Sequence, residues 1–345
     1  MIAINLPIFP AQRNADKAVK KARTLKQDTL TTNRCHDQDT ASIAVLMSVH
    51  NGARFISEQI DSIVSQSHSN WSLHISDDNS SDGINIIIKD FTKQNQKNEI
   101  AINKVQNNDF CKSFLQLACD KEIKSDYYAY ADQDDIWEED KLKVALEFLQ
   151  TIPEDTPALY CSRTTIVDKD NQTLSLSPLF KRMPSFANAL VQNIGGGNTM
   201  VFNHAAKKLL ENAGSDIKVP SHDWWTYILV LGCGGKVFYD TNPYIRYRQH
   251  DANLVGANNS IGARLDRMKM LLEGRFKEWS DQNIAALKTI EDQLTPEGQI
   301  ILNQFASARS KSLFPRLIGT GKSGVYRQTV FGNIGLFVAT FLNKI

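Results

Sequence analysis

The run Ile43 to Val49, Ile-Ala-Val-Leu-Met-Ser-Val, is nearly unbroken apolar sequence of strand length. A strand of that kind needs cover on both faces, which is the environment of a central parallel strand. His50-Asn51-Gly52 supplies a turn, and the segment from Arg54 to Ser67 places Ile56, Ile60, Ile63 and Val64 on one helical face. The alternation continues. Trp71–Ser76, Ile100–Val105 and Tyr127–Ala131 read as strands, and Ile84–Phe91 and Cys111–Asp120 as helices. A further helical face, Leu142, Ala145, Leu146 and Leu149, is closed by Pro153. The pattern specifies an α/β protein with a mostly parallel, Rossmann-like sheet and flanking helices.

In such sheets ligands collect at the carboxyl ends of the strands. Three strands here end in polar or acidic turns: His50-Asn51-Gly52, Asp77-Asp78-Asn79 and Asp132-Gln133-Asp134-Asp135. The last places three carboxylates within four positions, which raise one another's pKa unless a cation offsets them. Oxygen-only clusters at a strand end suit Mg2+ or Mn2+ shared with substrate phosphates. The competing structural role is a cap for the following helix, with Asp135 three residues before Glu138 in capping-box order; that accounts for one acid and leaves two.

The second half is less regular. Ala158–Arg163, Thr199–Phe202, Lys236–Tyr239 and Tyr244–Arg248 read as strands. Gly195-Gly196-Gly197-Asn198 permits close backbone approach, either to a sugar or as a mobile connection. Ser221-His222-Asp223-Trp224-Trp225 sets a carboxylate between an imidazole and two large aromatics; Asp223 also suits the N-cap of a helix starting at Trp224. The pattern turns helical from Arg264. The last forty-one residues, Phe305 to Ile345, hold six basic and no acidic residues, with an apolar run Val330–Leu342 broken by Gly332, Asn333 and Gly335. That tail suits an anionic bilayer surface, or a helical hairpin packed on the catalytic domain or a second subunit, making a homodimer.

The bulk numbers exclude other classes. Net charge is +1 over 345 residues, which gives no general case for nucleic acid. The cysteines at 35, 111, 119, 161 and 233 show no zinc spacing and read as reduced thiols, consistent with the cytoplasm. No signal peptide is read in Ile2–Pro10, and no run of eighteen apolar residues is present. Residues 1–40, with a basic patch from Lys17 to Lys26, read as an extension of uncertain order. Residues 41–262 form the expected α/β domain, in two halves, 41–137 and 138–262, which the resemblance described next assigns to the nucleotide sugar and to the acceptor. Residues 263–345 form a helical C-terminal region.

Taken together, Ser48-Val49-His50-Asn51-Gly52, Ser76 to Gly83, Ala131 to Trp137 and His222-Asp223-Trp224 resemble the family 2 (GT-A fold) inverting glycosyltransferases. Among these the chain is similar to bacterial rhamnosyltransferase-type enzymes of cell-surface polysaccharide assembly. The resemblance covers residues 42–258. It implies that Val49, His50, Asn51, Asp77, Asp78, Asp132, Gln133 and Arg248 hold the nucleotide sugar. Asp132 and Asp134 would be the family's Asp-x-Asp and hold the divalent cation, Mg2+ or Mn2+. Asp223 would be the general base, and Gly196, Gly197, Asn198 and Trp224 would line the acceptor, although Trp224 equally suits a core position. Asn198 stands where Cys is expected in many relatives. The implied reaction moves a sugar, rhamnose from dTDP-rhamnose, to a growing polysaccharide or lipid-linked glycan, in the cytoplasm or at the inner membrane face. The alternative is a glycan- or nucleotide-binding module without catalysis on the same fold.

Overall fold

The computed structural model describes residues 40–250, 269–270 and 273–345. Strand β1 (Ile43–Val49) divides its side chains between two cores. Ala44 and Leu46 enter one; Ile43, Val45, Met47 and Val49 enter the other. This is the period of two that pleating imposes, and it explains why the whole run is apolar. Strand β2 (Trp71–Asp78) pairs parallel on one side of β1, β3 (Ile100–Val105) pairs parallel beyond it, and β4 (Tyr127–Ala131) pairs parallel on the other side. Tyr128 and Tyr130 join the core of Leu46, whereas Ala129 and Ala131 join that of Val45.

The sheet continues through β5 (Ile136–Trp137), β6 (Ala158–Val167), β7 (Thr173–Leu176), β8 (Val201–Asn203) and β9 (Lys236–Arg248). Its order is β3-β2-β1-β4-β8-β6-β9-β5, with β7 on β6. Parallel pairing holds through the first four strands. β8 then runs antiparallel to both β4 and β6, and the remainder is mixed. The two segments expected at Lys236–Tyr239 and Tyr244–Arg248 are one strand, with an irregular register opposite Arg163. Strand β8 starts at Val201, after a single 3-10 turn at Gly197–Thr199.

Helices α1 (Ile56–Val64), α2 (Ile84–Gln94), α3 (Phe110–Cys119), α4 (Lys141–Leu149), α5 (Phe186–Ala189), α6 (His204–Ala213) and α7 (His222–Gly232) cover the sheet. α1, α2 and α4 lie over the core of Val45; α3, α6 and α7 lie over that of Leu46. Among the described residues, helices α8 (Arg275–Thr289), α9 (Pro296–Arg309), α10 (Leu313–Lys322) and α11 (Val330–Phe341) follow. Leu287, Leu302, Phe305 and Leu336 from this region share a core with Trp225 and Tyr227, so these helices pack on the sheet domain itself. The extension expected over residues 1–40 lies, apart from Thr40, outside the described residues, as do the onset of the helical pattern at Arg264 and the segment 251–256.

Candidate active site

The polar ends of β1, β2 and β4 meet because those strands are neighbours in parallel register. Asn51 and Asn79 adopt left-handed backbone conformations, φ 50° and 59°, which turn the chain sharply out of β1 and β2. Gln133, in the acidic turn after β4, grips the His50 peptide unit on both sides. Its Oε1 accepts from His50 N at 2.9 Å and its Nε2 donates to His50 O at 3.1 Å. A Cβ on Gly52 would lie 2.2 Å from that Oε1, which is the physical reason for glycine there. His50 Nδ1 donates to the Asp78 carbonyl at 2.7 Å, and Asn51 N donates to Ser80 Oγ at 2.9 Å. Of the expected nucleotide-sugar residues, His50, Asn51, Asp78 and Gln133 therefore share one hydrogen-bonded rim.

Within that rim the two β2 acids hold the protein together. Asp78 accepts the backbone amides of Asn107, Asn108 and Asp109 and so fixes the entry to α3. Asp77 is buried and accepts from Ser80 N and Asn85 Nδ2. Burial alone would raise its pKa, but these bonds and Lys104 bring it below the usual value. Val49, expected at the nucleotide, has its side chain in the core.

The acidic turn is built differently from the capping arrangement. The helix begins at Lys141 with Asp140 at its N-cap, and β5 intervenes after Asp135. β5 pairs Ile136 with Arg246 and Trp137 with Ile245, which carries the turn to the end of β9. There Asp135, fully buried, accepts from Arg248 N at 3.2 Å and from Asn198 Nδ2. Burial, Asp132 and Asp134 hold the Asp135 carboxyl well above the usual range, and two of its oxygens' bonds pull the other way. Behind the turn, the buried Lys141 ammonium lies 3.5 Å over the Trp137 ring. Burial pulls its pKa down to about 7, although Asp135 opposes that shift.

Two expected ligand residues are engaged within the protein. Asn198, expected at the acceptor, is buried and supports Asp135. Arg248, expected at the donor diphosphate, is 1% exposed and its guanidinium is engaged. It donates to the Asp134 carbonyl at 3.0 Å, the Lys169 carbonyl at 2.8 Å and Glu58 Oε2 at 2.7 Å, and it lies over the Phe55 ring. It braces the acidic turn from behind.

Asp132 and Asp134, in contrast, remain partly open. Burial, with Asp134 and Asp223 nearby, pushes the Asp132 carboxyl up to about 8. Asp134 Oδ2 lies 2.7 Å from His250 Nε2. Nothing local in the sequence announces that pairing, since the two residues are 116 positions apart. Among the described residues no three metal-ligating side chains converge as a ready-made cage. Two carboxylates at a strand end nonetheless fit a hard divalent cation, which completes its shell with waters and substrate phosphates.

Asp223 lies in the first turn of α7, whose N-cap is Ser221; it does not cap the helix. Its Oδ2 accepts from Gly197 N at 3.1 Å, and its Oδ1 accepts from Trp224 N at 2.6 Å. The glycine loop thus rests on α7. A Cβ on Gly197 would lie 2.5 Å from His222 Nε2, so this approach requires glycine. Gly196 is exposed beside it. His222 itself is buried, stacked on Phe114 at 3.9 Å and edge-on to Tyr130. Trp224, expected at the acceptor, is a core residue whose Nε1 donates to the Ala189 carbonyl at 2.6 Å.

Residues 44–210 match the family model described as Glycosyl transferase family 2. The chain is 31% identical over 242 residues to a dTDP-rhamnosyl transferase, RfbG of Shigella flexneri, a match spanning 65% of this chain and 78% of that protein. The chain belongs to the family 2 glycosyltransferases. An uncharacterized glycosyltransferase of Rickettsia typhi, RT0329, is 21% identical over 71% of this chain and 75% of its own. Among solved structures, the mannosyltransferase PcManGT from Pyrobaculum calidifontis, in complex with GDP-Man and Mn2+, superposes with a TM-score of 0.51 at 17% identity, covering 97% of this chain and 96% of that one. S. aureus TarS 1-349 superposes with a TM-score of 0.50 at 13% identity over 82% and 90%. These likenesses show the GT-A fold. The chain is a glycosyltransferase, so the reading as a binding module without catalysis gives way.

Proposed function

We propose that this family 2 enzyme is an inverting, cation-dependent transferase. In this reading it moves a sugar, rhamnose from dTDP-rhamnose, to a hydroxyl of a polysaccharide or lipid-linked glycan. The observation that carries it is the meeting of Asp223 with the acidic turn across the glycine loop: Asp223, half-buried on α7, accepts from Gly197 N at 3.1 Å, and the next residue of the loop, Asn198, donates to Asp135. The donor assignment rests on the dTDP-rhamnosyl transferase relative, and the cation on the Asp132–Asp134 edge together with the Mn2+ named for PcManGT.

Asp132 and Asp134 would hold Mg2+ or Mn2+, which offsets the charge of the departing diphosphate as a Lewis acid. The His50–Asn51 rim would seat the nucleotide against the clamped Gln133. Asp223, oriented by the Gly197 and Trp224 amides, would take the proton from the acceptor hydroxyl as it attacks opposite the leaving group, inverting the anomeric centre. Gly196 and Gly197 would lie along the acceptor.

A screen of nucleotide sugars with Mn2+ or Mg2+, scoring nucleotide release and the anomeric configuration of the product by NMR, tests this. Retention of configuration, or undiminished turnover in excess chelator, would overturn the mechanism. Release from another donor would replace dTDP-rhamnose alone.

A further inference from the structure

Helix α11 has no polar side to present to water. Its inner face, Leu336, Ala339 and Thr340, is buried against the domain. Its outer face carries Phe331, Ile334, Phe337 and Phe341, between 50% and 86% exposed, and the helix contains no charged residue. A surface helix of a water-exposed protein ordinarily carries polar residues outward; a helix apolar all round belongs in a core or against lipid. Helix α10 repeats the arrangement, with Phe314 and Ile318 exposed one turn apart. Of the seventeen large apolar side chains exposed among the described residues, eight fall between Phe314 and Leu342. Scattered exposed apolar residues are ordinary, but a concentration of this kind marks an interaction surface.

The two helices form one unit. Arg316, on the buried side of α10, donates through Nε to the Thr340 carbonyl at 2.8 Å and through Nη2 to the Phe341 carbonyl at 3.2 Å. A guanidinium at those terminal carbonyls also complements the negative end of the α11 dipole. The exposed apolar faces are therefore held by a buried cation.

We propose that the α10–α11 face docks on the surface of an anionic lipid bilayer. Charge chooses this occupant over a second copy of the chain. Lys311 and Lys322 are exposed at the two ends of α10, and no acidic residue occurs anywhere from Phe305 to Ile345. A two-fold dimer through this face would appose like patches and leave its lysines without counter-charges. An anionic bilayer satisfies both the apolar and the cationic features. The helix lies in the interface and does not cross it. Its 12 residues reach about 18 Å at 1.5 Å per residue, against a hydrocarbon thickness of about 30 Å. No helix among the described residues is long and apolar enough to span a membrane. The surface lies outside the catalytic residues, so the inference stands or falls independently of the donor and mechanism proposed above.

Vesicle flotation of the full chain decides it, using pure phosphatidylcholine and phosphatidylcholine mixed with phosphatidylglycerol. Wild type should float with the anionic vesicles and be released by high salt. Phe331→Ser combined with Phe337→Ser should lower partitioning by about tenfold or more, with the thermal melting point and turnover of a soluble acceptor kept. Lys311→Glu combined with Lys322→Glu should abolish the preference for anionic over neutral vesicles. Failure of wild type to float, or equal flotation of the phenylalanine variant, overturns the proposal. So does a wild-type dimer in sedimentation that the phenylalanine variant dissociates while flotation persists.

Discussion

Gln133 and His50, 83 residues apart, exchange two hydrogen bonds through one side-chain amide, with Oε1 accepting from His50 N and Nε2 donating to His50 O. The acidic turn and the first strand's exit loop are therefore joined directly. The clamp ties the site of the proposed cation to the rim proposed for the nucleotide.

Gly52→Ala should disturb that clamp, because the added methyl meets Gln133 Oε1 at 2.2 Å. Gln133→Ala removes the two bonds without a clash. Each is expected to cost about 1–2 kcal/mol in stability and to raise the donor KM more than it lowers kcat. Thermal unfolding with steady-state kinetics checks both. Unchanged donor KM in both variants would separate the clamp from nucleotide binding.

Asp134→Ala should abolish transfer while leaving the fold intact, since it removes a proposed cation ligand and relieves carboxylate repulsion. Titration of Mn2+ or Mg2+ against wild type and variant, followed by turnover and by protection from heat, is the check. Equal cation protection of both proteins would remove Asp134 from the cation site.

Asp223→Asn should reduce turnover by about two to four orders of magnitude, the worth of a positioned base. Donor and cation binding should hardly change. The melting point should fall only slightly, because the amide oxygen can still accept one of the two backbone amides now bound. Near wild-type turnover in this variant would exclude Asp223 as the base.

Asn198→Ala tests the reassignment of that residue from acceptor contact to support of the acidic turn. Removing a partner from the buried Asp135 carboxyl should cost about 1–3 kcal/mol of stability. An unaltered melting point with a raised acceptor KM would restore the acceptor role.

His222 should make stability pH-dependent. Burial lowers its pKa from 6.5 to about 4, with Asp223 opposing the shift, so the folded state keeps the imidazole neutral where the unfolded chain protonates it. Between these values the unfolded state binds more protons, and stability falls as pH drops from about 6.5 toward 4. The loss is roughly 3 kcal/mol at 1.36 kcal/mol per pKa unit. Denaturant unfolding of wild type and His222→Phe across that range should show a shallower slope in the variant. Parallel slopes would refute it.

The alternation of β1, α1, β2 and α2 was legible in the chain because an apolar run or a helical stripe is a local pattern, written by whichever face must leave water. The same holds for the three polar strand ends, since parallel neighbours must terminate on one side of the sheet. What each polar group does there was not legible. Asp78, Asn198 and Arg248 have the composition of ligand contacts, yet their partners lie 29 to 31, 63 and up to 190 positions away and turn them into supports. β5 illustrates the cause. Two residues are too few for a periodic signal, but pairing Ile136 with Arg246 brings Asp135 to Arg248 and places the acidic turn. The outward apolar face of α11 is the converse case. Its glycine-interrupted composition was plain in sequence, and only packing could decide which half of the helix would be buried and which half exposed.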